Sequence, residues 1–198
     1  MKKRYLLLPC LLLTFALAAC GGSSGGDSGG SGDSDEGQIV EAIEKSLSEP
    51  SSANCKELET QTFVEQTTHS SGSAAMKACE EEGDEATAES VDVSKVEVKG
   101  TDATAEVAFS GGDFSDQSLV LALVKEGDQW KLDEIVRFAK LQKTALIKAI
   151  EAQLSELNPE AASCIVEGLE SSSDATFEAL LLKGEDQPLT ELAESCAK

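Results

Sequence analysis

Between Val91 and Val136 the apolar residues of this chain recur at every second position, a period that fits the two faces of a β-strand and no helix. Val91 and Val93, then Val96 and Val98, alternate on either side of a phase slip at Ser94-Lys95, which predicts a bulge or bend inside one strand. Gly100-Thr101-Asp102 turns the chain, Ala103, Ala105, Val107 and Phe109 alternate again, and Gly111-Gly112-Asp113 makes a second break. Ser118 to Lys125 reads as a third strand, Glu126-Gly127-Asp128 as a tight turn, and Gln129 to Val136 as a fourth strand carrying Trp130, Leu132 and Ile135. Connections this short join antiparallel neighbours.

Helical periodicity precedes the strands. In Gln38 to Leu47 the apolar residues 39, 40, 43 and 47 share one helical face, and Pro50 ends the pattern. A polar stretch with Cys55 and a short apolar island at Phe63-Val64 follows, then a loop at His69-Ser70-Ser71-Gly72. Ser73 to Glu82 reads as a second helix that carries Cys79 and stops near Gly83. The expectation is an α+β unit over residues 38–138, two helices followed by four antiparallel strands. The meander VDVSKVEVKGTDATAEVAFS and the hairpin SLVLALVKEGDQWKLDEI resemble the nuclear transport factor 2-like superfamily, particularly its small exported lipoprotein members. That resemblance implies a cone-shaped, curved sheet wrapped around helices, with Trp130 packed beneath them and a pocket at the open end.

Residues 139–198 change character. Phe138, Leu141, Ala145, Leu146, Ala149, Ile150 and Leu154 trace one long amphipathic helix running out of the last strand. Asn158-Pro159 opens a second helix with Cys164, Ile165 and Leu169, since proline suits the first helical position. Ser173-Asp174-Ala175-Thr176 opens a third with Phe177, Leu180 and Leu181, closed at Gly184, and Pro188 starts a fourth with Leu189, Leu192 and Cys196. These residues are expected to form a small all-α module resembling the cysteine-stapled helical tails of exported actinobacterial-type proteins.

The other end of the chain addresses it. Met1-Lys2-Lys3-Arg4 is a compact positive segment, and Tyr5 to Ala19 is an apolar stretch broken only by Pro9 and Thr14, the order of a secretory signal. Its 15 residues fall short of the roughly 18–20 needed to span a bilayer. Leu17-Ala18-Ala19-Cys20-Gly21 resembles the lipobox of bacterial prolipoproteins. The resemblance implies removal of residues 1–19, Cys10 and Tyr5 among them, and a diacylglyceryl thioether on Cys20. Two acyl chains, at about 0.8 kcal/mol per buried CH₂, suffice for stable anchoring at the membrane. Residues 20–37 then read as the lipidated cysteine and a flexible Gly/Ser/Asp tether, reaching roughly 20–25 Å on average. Asp33-Ser34-Asp35-Glu36-Gly37 resembles the start of a calcium loop but lacks its later ligands.

Loss of Lys2, Lys3 and Arg4 takes the formal charge from −21 to −24. A surface this acidic repels nucleic acid and anionic headgroups, and it keeps an exported protein soluble. Cys55, Cys79, Cys164 and Cys196 remain once Cys10 and Cys20 are set aside, an even number suited to disulfides in an oxidising compartment. Three pairings exist, and proximity favours Cys55–Cys79 with Cys164–Cys196. Loops of that length contribute roughly 3–4 kcal/mol each when closed. Neither CxxC nor a zinc-type Cys/His spacing occurs, so no metal and no cofactor is expected.

Superfamily enzymes place Asp, His, Tyr or Arg in the cone. After cleavage this chain has no tyrosine, one histidine, His69, and one arginine, Arg137. His69 sits among Thr67, Thr68, Ser70 and Ser71 and reads as an exposed loop residue; Arg137 reads as pairing with an acid where the two modules meet; Trp130 reads as core. No catalytic residue is assigned. The expectation is a non-enzymatic, lipid-anchored protein on the extracytoplasmic face of the cell membrane, binding a small ligand or an envelope protein; the alternative is a lone-carboxylate isomerase or hydrolase. A Cys20→Ser protein is expected in the soluble extracytoplasmic fraction, which fractionation followed by immunoblotting checks; retention in membranes contradicts the lipid anchor.

Overall fold

A computed structural model of the protein describes residues 34–49, 51–83, 87–112, 114–157, 159–183 and 187–196. Residues 1–33, which include the predicted signal segment, Cys20 and most of the expected tether, lie outside the described residues. The elements in chain order are α1 (Asp35–Ser48), α2 (Asn54–Glu57), α3 (Gln61–Thr68), α4 (Gly72–Glu82), β1 (Ser90–Lys99), β2 (Asp102–Ser110), β3 (Ser118–Glu126), β4 (Gln129–Lys140), α5 (Lys143–Leu157), α6 (Pro159–Ser171), α7 (Asp174–Lys183) and α8 (Gln187–Cys196). The strands form one antiparallel sheet in the order β1-β2-β3-β4.

Helix α1 begins earlier than its apolar pattern predicts. Ser34 caps it by accepting the Gly37 N–H at 3.2 Å, and Asp35 and Glu36 meet the positive end of the helix dipole, so these residues belong to the helix and not to the tether. Two helices beyond the expected pair occupy residues 54–68. Each is too short for a legible apolar period. Thr60 starts α3, accepting the Phe63 N–H at 3.2 Å and donating to Asp133 Oδ1 at 2.8 Å.

In the sheet the apolar face is the one expected. Ala103, Ala105, Val107 and Phe109 of β2 and Leu119, Leu121 and Leu123 of β3 are all buried beneath the helices. The register of β1 slips between Ser94 and Glu97, with Lys95 at φ 51, the bulge that the phase slip predicts. Gly112 closes β2 at φ +69, and a Cβ there would fall 2.2 Å from the Thr87 carbonyl oxygen, so only glycine fits.

Strand β4 departs from expectation. It runs on to Lys140, and its register against β3 shifts three times, each shift adding a residue to β4: Leu123 pairs with Leu132, Leu121 with Ile135, Leu119 with Phe138. The inward positions 132, 135 and 138 are therefore three apart. That spacing imitates a helix, which is why Phe138 reads as the start of one; it is a strand residue, 7% exposed in the core. Serial bulges also bend the strand and increase its twist.

The same residues turn their backbone groups toward the free edge of the sheet, and each finds a different partner. Leu132 donates to the Leu58 carbonyl at 2.8 Å and accepts the Thr60 N–H at 2.9 Å. Ile135 gives its N–H to Gln66 Oε1 at 2.7 Å and takes Gln66 Nε2 on its carbonyl at 2.9 Å. Phe138 N–H is accepted by Glu178 Oε2 at 3.0 Å. Gln66 Nε2 also donates to the Leu182 carbonyl at 2.7 Å, joining α3, β4 and α7.

Helices α5 to α8 follow the predicted order, and their buried residues Leu146, Ile147, Ile165, Leu169, Phe177 and Leu182 belong to the same hydrophobic cluster as the sheet. Gln117, 1% exposed, accepts the Gln142 N–H at 2.6 Å and so holds the β4–α5 connection against β3. Lys143 caps α6, donating to the carbonyls of Glu170, at 3.1 Å, and Ser172. Disulfides join Cys55 to Cys79, across α2 and α4, and Cys164 to Cys196, across α6 and α8. Gly168 lets α8 approach, since a Cβ there would meet Leu192 Cδ1 at 2.1 Å. Gln66→Leu is expected to lower stability by about 2–4 kcal/mol, because it leaves backbone groups of Ile135 and Leu182 unpartnered; urea midpoints measure it, and Gln66→Glu recovers only the bond to the Ile135 N–H.

Candidate functional site

A cavity of about 570 Å³ lies between the sheet and the helices. The strands contribute Phe109, Leu119, Leu121 and Ile135, whose inward orientation follows from the period-two register and, in β4, from its bulges. Ser46 and Leu47 come from the end of α1, Phe63, Gln66 and Thr67 from α3, and Leu181 and Leu182 from α7. The Cys55–Cys79 disulfide closes one part of the wall, and Asn54, Glu59 and His69 bring polar atoms to it.

Glu59 is the distinctive group. It sits between α2 and α3, where its backbone bridges to Leu132 in parallel and so fixes the side chain's direction. Its Oε1 accepts from Ser46 Oγ at 2.7 Å. Its Oε2 lies 3.6 Å from Cys79 Sγ, but that sulfur is bonded to Cys55 and carries no hydrogen, so the contact is not a hydrogen bond. Burial pushes the Glu59 carboxyl above its ordinary pKa, and the Ser46 hydroxyl offsets part of the rise. No cation among the described residues pairs with it.

The sulfurs of Cys55 and Cys79 and a Glu59 oxygen all lie within 4.8 Å of one another, a spacing that suits a metal. The disulfide removes both thiolates from the donor set, and one carboxylate alone is not a binding shell.

Among the residues singled out from sequence, Cys20 lies outside the described residues. His69 is an exposed loop residue as expected, left-handed at φ 49, and it stands on the cavity wall. Arg137 is exposed and donates to the neighbouring Phe138 carbonyl at 3.2 Å; among the described residues it forms no ion pair with an acid, because the bulges of β4 turn it to the outer face of the sheet opposite Val120. Trp130 is core, 1% exposed, and its Nε1 donates to Asp35 Oδ1 at 3.0 Å. Lys125 reaches the same oxygen at 2.5 Å, and these two donors hold the Asp35 carboxyl below its ordinary range. Glu59 carries no local signal, being one of 37 acids in a segment without legible period. Among the described residues no helix is long and apolar enough to cross a membrane.

No family model, no curated protein and no solved structure matches this chain.

The pKa of Glu59 is raised in the folded state, so its contribution to stability is present below the unfolded-state pKa and is lost as pH rises through the folded-state value. The stability of the native protein relative to Glu59→Gln should therefore fall as pH rises from the ordinary carboxylate range, at about 4, through the folded-state value. Urea midpoints of both proteins across that range check the sign; a difference independent of pH contradicts it.

Proposed function

We propose that this chain is a lipid-anchored, extracytoplasmic, non-enzymatic binding protein whose folded part receives a small ligand in the cavity between the sheet and helices α1, α3 and α7. The cavity carries the proposal: about 570 Å³, with an apolar sheet side and polar groups on the helix side, has the size of small-molecule sites. The lipobox, the Gly/Ser tether and a disulfide framework support the location, since all three belong to exported, membrane-tethered proteins. The antiparallel meander with its bent last strand supports the nuclear transport factor 2-like reading, in which a pocket opens at the wide end of a cone.

Glu59 favours a second reading. A half-buried carboxyl with a raised pKa beside the Ser46 hydroxyl has the attributes of a lone general base or acid in an isomerase or hydrolase. Arg137 lies on the outer face of the sheet, and among the described residues His69, exposed on the same cavity wall, makes no hydrogen bond or ion pair with Glu59.

The neutral dye Nile red is expected to bind saturably, with a blue-shifted, enhanced emission. Thr67→Trp, a change at an exposed position on the cavity wall, should abolish the signal without altering the urea midpoint. Undiminished binding to this variant, or none to the native protein, contradicts a ligand cavity here.

A further inference from the structure

The geometry points to a ligand class for this cavity: a small amphipathic organic ammonium, its positive group on Glu59 and its apolar body against Phe63, Phe109 and Leu121. The inference rests on the cavity being a ligand site and adds which chemistry it selects. Three observations carry it. The first is the charge inventory of the wall. Among the described lining residues Glu59 is the only carboxylate, neither lysine nor arginine is present, and the one basic side chain is that of His69, which is exposed. An anionic ligand would meet no lysine or arginine to neutralise it and one carboxylate to repel it.

The second is the unfilled acceptor capacity of Glu59. A carboxylate offers about four lone-pair sites, and among the described residues one hydrogen reaches it, from Ser46. The neighbour on the other oxygen is a disulfide sulfur, which has no hydrogen to give. A primary ammonium brings up to three donors and the missing positive charge together. A neutral alcohol brings one donor and no charge.

The third is the apolar share of the wall. Phe63, Phe109, Leu119 and Leu121 are each 5% exposed or less, and they face the cavity from α3 and the sheet. A small inorganic cation or a polyamine would leave that surface wetted, whereas an aryl or alkyl body covers it. The strongly negative chain also draws cations toward the protein at long range, which favours encounter with such ligands over anionic ones.

Three probes of matched shape separate the alternatives: 2-phenylethylammonium, 2-phenylethanol and 3-phenylpropionate, each titrated by calorimetry near neutral pH and tested for displacement of Nile red. The ammonium is expected to bind at least tenfold more tightly than the alcohol, and the carboxylate not measurably. Glu59→Gln should remove that preference, bringing the ammonium to the affinity of the alcohol, while Nile red still binds. Glu59→Asp, which keeps the charge, should retain preference for the ammonium. Equal binding of ammonium and alcohol by the native protein, or a preference that survives Glu59→Gln, overturns the ligand class and leaves the cavity reading intact. Loss of Nile red binding together with all three probes overturns both. If Glu59→Gln does not fold, the probe series on the native protein still decides.

Discussion

The free edge of β4 is the constraint around which the rest of the molecule is organised. Three bulges give this strand a repeat of three: the side chains of Leu132 and Phe138 enter the core and that of Ile135 packs against it, while the backbone at all three faces outward. Exposed strand edges recruit other strands. Here the edge is occupied by a short parallel bridge at Glu59, by the amide of Gln66 and by the carboxylate of Glu178. Each partner comes from a different part of the chain. Satisfying one strand edge therefore brings the segment after α2, helix α3 and helix α7 to one side of the sheet, and the cavity is the space they enclose with it. The opposite edge, β1, is managed differently, with a bulge at Lys95, the Lys95–Glu106 ion pair and alternating charges at Glu97 and Lys99.

Closure of α1 and of the connection into α5 uses polar atoms in the same way. Asp35 accepts from both Lys125 and Trp130, so one carboxylate in the first turn of α1 satisfies the indole N–H of the largest buried side chain and ties the first helix to the β3–β4 hairpin. Gln117 and Lys143 do the equivalent for the connection into α5 and for the end of α6. The continuity of the hydrophobic cluster from Ile39 through Leu121 to Phe177 follows from these ties. Helices α5 to α8 gain from it, because a segment of about 60 residues buries little on its own.

Most of the fold was legible in the sequence, and the places where it was not share a cause. Alternation located β1, β2 and β3 and the phase slip at Ser94-Lys95, because a half-buried strand must repeat every two residues. Pro159, the Asp174 segment and Pro188 marked the starts of α6, α7 and α8, because helix termini have local stereochemical requirements. Phe138 was misassigned because a bulged strand and a helix both place apolar residues three apart, and only the partner strand distinguishes them. Helices α2 and α3 were missed because neither holds enough turns to display a period. Glu59 was invisible because its burial is imposed by the backbone bridge to Leu132 and by a disulfide 20 residues further on, at Cys79.

By itself the sequence determined the succession of the longer helices and the strands, the apolar face of the sheet and the number of cysteines available for bridging. These are properties of short segments, set by side-chain period, caps and composition. Only the tertiary structure decided which of many acids sits in a cavity, that Arg137 turns outward, and that a glutamine in α3 holds β4 and α7 together. Those outcomes depend on contacts between residues tens of positions apart, as between Gln66 and Leu182 or Thr60 and Asp133. No local pattern encodes such contacts, because the energy that selects them is that of buried polar groups finding partners once the chain is already packed.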